Sequence, residues 1–351
     1  MKVALDARTL QPALRSGVGR SVANLVPLLR EHVDLTLLTD ARRGATGEHG
    51  LPELALRTPV PGVSASWMQW SAPRWLKGFD GIFHCPSYIL PARCPVPAVV
   101  TIHDISYEHR PEWFTTQQRW SFRLQSRRAA VTARVVLTVS EFVKRDLVTT
   151  YGVEPSRVLV AGHGVPEDFR PGAADPELLG RLRVAGTYVV ALGGAKRRNL
   201  PVAVDAWRRA RQQGADARLV VVGKEPYPEE PGLVHAGVVS DPEWAALLAG
   251  SSAFLYPTEY EGYGMPAREA IASGTVVVAA PVASLPEVLG DAAAWAETPT
   301  ATALSRALLE VLADDAGRAA RRAASLAQAA GLPGWEHAAA VHLQAYETAA
   351  G

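Results

Sequence analysis

Short runs of β-branched and aliphatic residues alternate along the chain with longer stretches whose apolar positions recur at helical spacing. Such alternation predicts parallel strands joined by helices that cover both faces of a sheet. In the first half, residues 2–5, 35–38, 82–84, 98–102, 135–139 and 158–161 read as strands. Between the first two, Val22, Leu25, Val26 and Leu29 mark one helix face. A second series begins at 188–192 and continues at 219–222, 253–256 and 276–279. Between the series, Arg170-Pro171-Gly172-Ala173-Ala174-Asp175-Pro176 reads as a linker. The C-terminal portion is alanine-rich and helical, broken at Gly331-Leu332-Pro333-Gly334. A last helix begins near Trp335, with Ala339, Leu343 and Tyr346 on roughly one face. The expected fold class is α/β, with two Rossmann-like, doubly wound parallel-sheet domains at 1–170 and 171–334 and a terminal helix at 335–351.

Length and charge refine this picture. The 351 residues suit two domains, and a formal net charge of +1 argues against nucleic acid as a partner. Charge is unevenly placed: residues 1–170 carry 21 Lys/Arg against 15 Asp/Glu, and the remainder 15 against 20. A basic first half suits either an anionic acceptor or membrane surface, or is an uneven solvated surface. Cys85 and Cys94 form no metal-binding or disulfide framework. No stretch approaches the roughly 18 apolar residues of a membrane span, and the N-terminus lacks the apolar length of a signal peptide. A cytoplasmic protein is expected, with peripheral contact at the inner membrane face left open.

Glu261-Gly262-Tyr263-Gly264-Met265-Pro266-Ala267-Arg268-Glu269 carries the most chemistry. Two carboxylates flank a glycine-rich turn and a helix start, with Pro266 in the first helical turn, where a missing N–H costs little. Free N–H groups and the positive end of the helix dipole suit a phosphate there. Glu261 reaches beyond the phosphates, and Glu269 is placed to accept hydrogen bonds from sugar hydroxyls. An anion cradle between carboxylates matches a nucleotide-diphosphate sugar.

The run from Tyr256 to Pro266, followed by Glu269-Ala270, Ser273-Gly274, a short strand at 275–279 and Leu285-Pro286-Glu287, resembles glycosyltransferase family 4. The resemblance implies a GT-B fold with two domains facing across a cleft, retention of anomeric configuration, and a final helix that crosses back to the first domain. It places Glu269 on the ribose and Glu261 at the donor sugar. Backbone groups around Tyr263, Gly264 and Met265 would hold the diphosphate, and His103, in Thr101-Ile102-His103-Asp104-Ile105-Ser106, would stand beside the donor sugar. Asp104 is left to orient His103, cap the next segment or face the acceptor. Val139-Ser140-Glu141-Phe142 and Gly162-His163-Gly164-Val165 match cleft-wall and hinge elements, His163 standing where the family usually has asparagine.

Other segments are read alongside this. Gly17 and Gly19 of Ser16-Gly17-Val18-Gly19-Arg20 permit close approach of a phosphate or sugar, or simply form a tight strand-to-helix turn. Lys196, Arg197 and Arg198 follow Gly193-Gly194, where fixed cations would stabilise charge on a departing diphosphate. The family's lysine maps onto Arg198, and a solvated basic loop is the alternative. Val238 either packs on the nucleobase or belongs to the core. Trp67, Trp70 and Trp75 form an acceptor wall or membrane edge, or pack beneath a loop. Arg119, Arg123 and Arg127 align on one helix face, toward lipid phosphates or solvent. With no D-x-D motif and a cationic loop in place of a divalent ion, no metal and no cofactor are expected.

The Asp6-x-Arg8 turn, Gly-Val-Gly-Arg, His-Asp-Ile-Ser and Pro111-Glu112-Trp113-Phe114 resemble the family's mannosyltransferase-like branch. The first expectation is therefore a hexosyltransferase using GDP-mannose and a hydroxyl acceptor, lipid-linked or anionic. A GT-B sugar-nucleotide epimerase and a non-catalytic sugar-nucleotide-binding scaffold are the rival readings.

Overall fold

The computed structural model describes residues 1–11, 17–44, 46, 52–60, 66–224 and 227–351. The chain divides into two compact units, Met1–Gly164 with Pro333–Gly351, and Val165–Leu332. The divisions fall slightly ahead of the expected 170/171 and 334/335 boundaries.

The first unit holds a seven-stranded parallel sheet in the order β3-β2-β1-β4-β5-β6-β7. Its strands are β1 (Lys2–Asp6), β2 (Asp34–Asp40), β3 (Glu53–Leu56), β4 (Ile82–Cys85), β5 (Ala98–Ile102), β6 (Val135–Thr138) and β7 (Val158–Val160). Every residue of β4, β5 and β6 is buried, as parallel strands covered on both faces require. The last helix, Trp335–Ala350, belongs to this unit and packs on helix Gly17–Leu29 and on β4 to β7. Its buried face is Trp335, Ala338, Ala339, His342, Ala345, Tyr346 and Ala349. Leu343, expected on that face, is only half-buried, and His342 takes the inward position.

The second unit is a six-stranded parallel sheet in the order β10-β9-β8-β11-β12-β13. The strands are β8 (Tyr188–Leu192), β9 (Arg218–Val222), β10 (Leu233–Gly237), β11 (Ala253–Tyr256), β12 (Val277–Ala279) and β13 (Ala294–Trp295). Alternation along these strands splits the core in two. Val189, Ala191, Leu219, Val221, Leu255 and Val278 face helices Leu200–Gln212 and Ala301–Ala313. Val190, Val220, Val222, Phe254, Tyr256 and Val277 face helices Asp241–Gly250, Met265–Ala272 and Leu285–Leu289.

Each sheet has the strand order of a dinucleotide-binding fold, in which ligands sit beyond the carboxyl ends of the strands where the order reverses. Those switch points lie between β1 and β4 in the first unit and between β8 and β11 in the second. β3, β10 and β13 were not expected from the sequence. β3 is an edge strand without a β-branched residue, β10 shifts register between His235 and Gly237, and β13 is only two residues long.

The three clustered tryptophans separate. Trp67 is fully buried, donates its indole N–H to the Thr39 carbonyl at 3.1 Å and carries the Arg8 guanidinium 4.1 Å above its ring. Trp75 stacks on Phe79, while Trp70 is exposed. Trp67 is therefore core, not acceptor wall. Of the aligned arginines, Arg119 donates to the Tyr107 carbonyl and Arg123 pairs with Glu108 at 2.6 Å, so both are turned onto the protein. Arg127 remains exposed.

Candidate functional site

In the second unit the switch point is built from the loops after β8 and β11. Gly193 donates to the Val222 carbonyl at 2.8 Å, Gly194 takes a left-handed φ of +89°, and Lys196–Arg198 form a single 3₁₀ turn. Asn199, also left-handed at φ +50°, ends that turn and donates its side-chain N–H to Glu259 at 2.9 Å. The Glu259 N–H in turn donates to the Arg197 carbonyl, tying the two loops together. The three cations do different things. Lys196 is exposed, Arg198 donates back to the Gly193 carbonyl at 2.8 Å, and Arg197 Nε lies 3.4 Å from Glu261 Oε1.

Glu261 is 4% exposed, and a carboxylate so placed needs partners. The Tyr256 hydroxyl donates to its Oε1 at 2.5 Å and the Thr258 hydroxyl at 3.4 Å, beside the Arg197 pair. The two hydroxyls and the Arg197 ion pair all meet Oε1. Burial, then the Glu261 charge and hydrogen bond, push the Tyr256 phenol well above its ordinary pKa, so it remains a donor. Ser284 fixes the backbone by donating to the Glu261 carbonyl at 2.9 Å.

Gly264 closes the turn at φ +86° and caps helix Met265–Ala272. A Cβ there would lie 2.8 Å from Leu285 Cδ2, so conformation and space both require glycine. Ala267 and Arg268 donate to the Gly264 carbonyl. The Met265 N–H therefore precedes the helix's own hydrogen-bond ladder, in the position that suits an anion. Tyr263 is buried and Met265 half-buried. One turn on, Glu269 is 2% exposed and accepts the Trp244 indole N–H on Oε2 at 2.9 Å. Arg268 donates to the carbonyls of Ala329 and Leu332, and desolvation lowers its pKa. Val238, between β10 and the Ser240 helix cap, is 66% exposed, which removes the core reading and leaves it open to a planar ligand.

In the first unit Gly17 and Gly19 lie in the first turn of helix Gly17–Leu29, Gly17 exposed and Gly19 buried. Among the described residues a Cβ at Gly17 would meet nothing within 4 Å. Ser16 lies outside the described residues. His103 follows β5 and donates from Nε2 to the Pro86 carbonyl at 3.0 Å. Since a carbonyl can only accept, Nδ1 is the lone-pair nitrogen of the neutral ring. Asp104 accepts the Ser106 N–H at 3.0 Å, the capping role among its three options.

His103 belongs to a cluster that sequence reasoning missed. It stacks on His163 with ring centroids 5.5 Å apart, and His163 meets Ser21 at 2.8 Å through Nδ1. His84 bonds Tyr346 and Thr101, and His342 donates from Nδ1 to the Ala338 carbonyl. All four line a cavity of about 20 Å³, room for about one water. Burial lowers the pKa of each, His342 to about 4. The Trp335 ring also approaches within 2.5 Å of where a Gly164 Cβ would stand, so that glycine is sterically fixed. Positions 84, 103, 163 and 342 have no local spacing that announces them. Tyr256 and Trp244, the donors to the two glutamates, are equally silent in sequence. Among the described residues no three His, Cys, Asp or Glu side chains are arranged to hold a metal ion.

Comparison with known proteins places this geometry. The Glycosyltransferase Family 4 profile matches residues 15–169, and the Glycosyl transferases group 1 profile matches 186–314. O-antigen chain mannosyltransferase B of Escherichia coli is 29% identical over 285 residues, covering 76% of this chain and 74% of the relative. Among solved structures, sucrose-phosphate synthase from Thermosynechococcus elongatus superposes with a TM-score of 0.75 at 16% identity, covering 99% of this chain and 98% of that one. HepE of Anabaena, solved with UDP and glucose, superposes at 0.73 and 16% identity, covering 98% of each chain. With one family profile matching most of the first unit and the other most of the second, the chain is a GT-B glycosyltransferase similar to mannosyltransferases.

Proposed function

We propose that the chain transfers a hexose, first of all mannose from GDP-mannose, to a hydroxyl acceptor with retention of configuration. The observation that carries the proposal is the Glu261 carboxylate, held through Oε1 by Tyr256, Thr258 and Arg197 at the switch point of the second sheet. In this reading Glu261 orients the donor sugar and stabilises its oxocarbenium-like character. Glu269, steadied by Trp244, binds the ribose hydroxyls. The backbone at Tyr263, Gly264 and Met265 and the cations Lys196, Arg197 and Arg198 hold the diphosphate, and Val238 covers the base. A diphosphate sugar is supported as the donor class by the Anabaena neighbour solved with UDP and glucose, and mannose by the Escherichia coli relative's name.

As the bond from the anomeric carbon to the diphosphate breaks, the acceptor oxygen bonds to the same carbon on the same face. The leaving phosphate takes the acceptor's proton. Fixed cations and N–H groups stabilise the charge that develops on the leaving group, so the step is expected to run without a divalent metal. In the first unit, Gly17 and Gly19 leave backbone open to a ligand, and the lone-pair Nδ1 of neutral His103 is an acceptor for a sugar hydroxyl.

The test is to incubate the protein with GDP-mannose or UDP-glucose and candidate acceptors in the presence of a chelator. Nucleotide release would be measured, and product anomers assigned by NMR. Acceptor-dependent release of GDP with an α-linked product is expected. An isomerised sugar nucleotide from donor alone would favour the epimerase, and nucleotide binding without turnover the scaffold.

A further inference from the structure

Helix Thr116–Thr132 is amphipathic the wrong way round. Its buried positions are the small residues Ser126, Ala129 and Ala130, while Trp120 is 64%, Leu124 70% and Val131 49% exposed. Positions 120, 124, 127 and 131 follow helical spacing, so these three side chains and the exposed Arg127 share one outward stripe. Large apolar side chains scattered singly over a surface need no explanation, whereas a contiguous apolar stripe does.

Charge accompanies the stripe. The helix carries Arg119, Arg123, Arg127 and Arg128 and no acidic residue. Arg123 is paired with Glu108 and lies 5.4 Å over the Trp120 ring. Arg119 and Arg128 donate to backbone carbonyls, and among the described residues neither is in an ion pair. Arg157 donates to the carbonyls of Ala130, Val131 and Ala133, adding a cation at the helix's C-terminal end. Arg128 and Gln69 both donate to the Leu90 carbonyl, which brings the segment bearing Trp70, itself 70% exposed, beside this helix.

We infer that this face of the first unit docks on an anionic lipid bilayer. The occupant follows from shape and charge together. The apolar groups project from a convex helix instead of lining a groove, so they suit insertion among lipid headgroups, where tryptophan rings partition well. Exposed Arg127 is placed to meet phosphates at that same depth, and the charges of Arg119, Arg128 and Arg157 behind it add to the positive field of this face. Docking of this kind stands independently of the donor reading, since none of these residues belongs to the second unit.

The experiment is flotation of the full chain with vesicles of phosphatidylcholine alone, and with phosphatidylcholine and phosphatidylglycerol in about equal parts. Binding to the mixed vesicles that weakens with added salt is expected, with little binding to phosphatidylcholine alone. Trp120→Ser with Leu124→Ser should reduce partitioning about tenfold or more, in line with the loss of two inserted side chains. Arg127→Gln should reduce it several-fold and flatten the salt dependence. Both variants change exposed groups, so an unchanged melting temperature and unchanged transfer to a water-soluble acceptor serve as controls. Equal partitioning of wild type and the double variant, or no preference for anionic vesicles, would overturn the inference. So would self-association of wild type that the double variant abolishes, which would assign the stripe to a protein interface.

Discussion

The four clustered histidines of the first unit, three of them buried and His103 half-buried, make its stability depend on acidity in a window that separates them from the carboxylates. His84, His103, His163 and His342 all have pKa values lowered by burial, His342 to about 4. A histidine in the unfolded chain titrates near 6.5, so on acidification the unfolded state takes up protons first. The stability these residues contribute is therefore complete above about pH 6.5 and falls as the pH drops below it. At about pH 5.5, each ring that remains neutral in the fold costs about 1.4 kcal/mol. His342, at about 4, contributes that full amount, and the other three rings, lowered in the same direction, add to it. Urea unfolding at about pH 7.5, 6.5 and 5.5 measures the loss, with hydrogen exchange in β4 and β5 identifying the transition of this unit. Ordinary carboxylates titrate near pH 4 and add little in this range. His342→Gln should remove about one proton from the slope. A first-unit stability that is flat between pH 7.5 and 5.5, or a slope untouched by His342→Gln, would refute the neutral cluster.

Three further outcomes follow from the second unit. Tyr256→Phe removes a charge-assisted hydrogen bond to a buried carboxylate worth about 1.5–3 kcal/mol, so kcat should fall about 10- to 100-fold with a smaller change in nucleotide affinity. Steady-state kinetics beside GDP titration check this, and an unchanged kcat would remove Tyr256 from the positioning of Glu261. Trp244→Phe keeps a smaller aromatic ring, deletes the N–H on buried Glu269 and leaves a void, so GDP should bind about tenfold more weakly and the second unit should lose about 1–3 kcal/mol of stability. Calorimetry reads both quantities, and undiminished affinity would separate Glu269 from the nucleotide. Gly264→Ala combines a left-handed backbone with a contact to Leu285, and should destabilise the second unit by about 1–3 kcal/mol. Chemical denaturation measures that loss, and a neutral substitution would mean that the turn relaxes.

How far the sequence reached can be traced through particular elements. The interior strands were legible because parallel strands buried on both faces are continuous apolar runs, as in β5 and β8. Three of the four edge strands escaped, two of them for the opposite reason: Glu53–Leu56 and Ala294–Trp295 are short and need little patterning. The Glu261–Glu269 turn could be read because its chemistry is local, a glycine, a proline and two carboxylates within one loop and helix start. What holds those carboxylates was not legible. Trp244 reaches Glu269 from another helix, and the aromatic Tyr256 reads as a strand residue until its hydroxyl is seen on Glu261. Similarly, a four-residue arginine spacing fixed a helix face but could not say that Glu108 and the Tyr107 carbonyl turn two of its members inward.

In the proposed function Glu261 and Glu269 serve different parts of one donor, and calorimetric titration of GDP and GDP-mannose tests that division directly. Glu269→Gln should weaken both ligands about tenfold or more, because the ribose contact is common to them. Glu261→Gln should weaken GDP-mannose while leaving GDP nearly unchanged, because only the sugar reaches that carboxylate. If neither ligand binds the wild type, or if both substitutions affect both ligands equally, the assigned roles of the two carboxylates are contradicted.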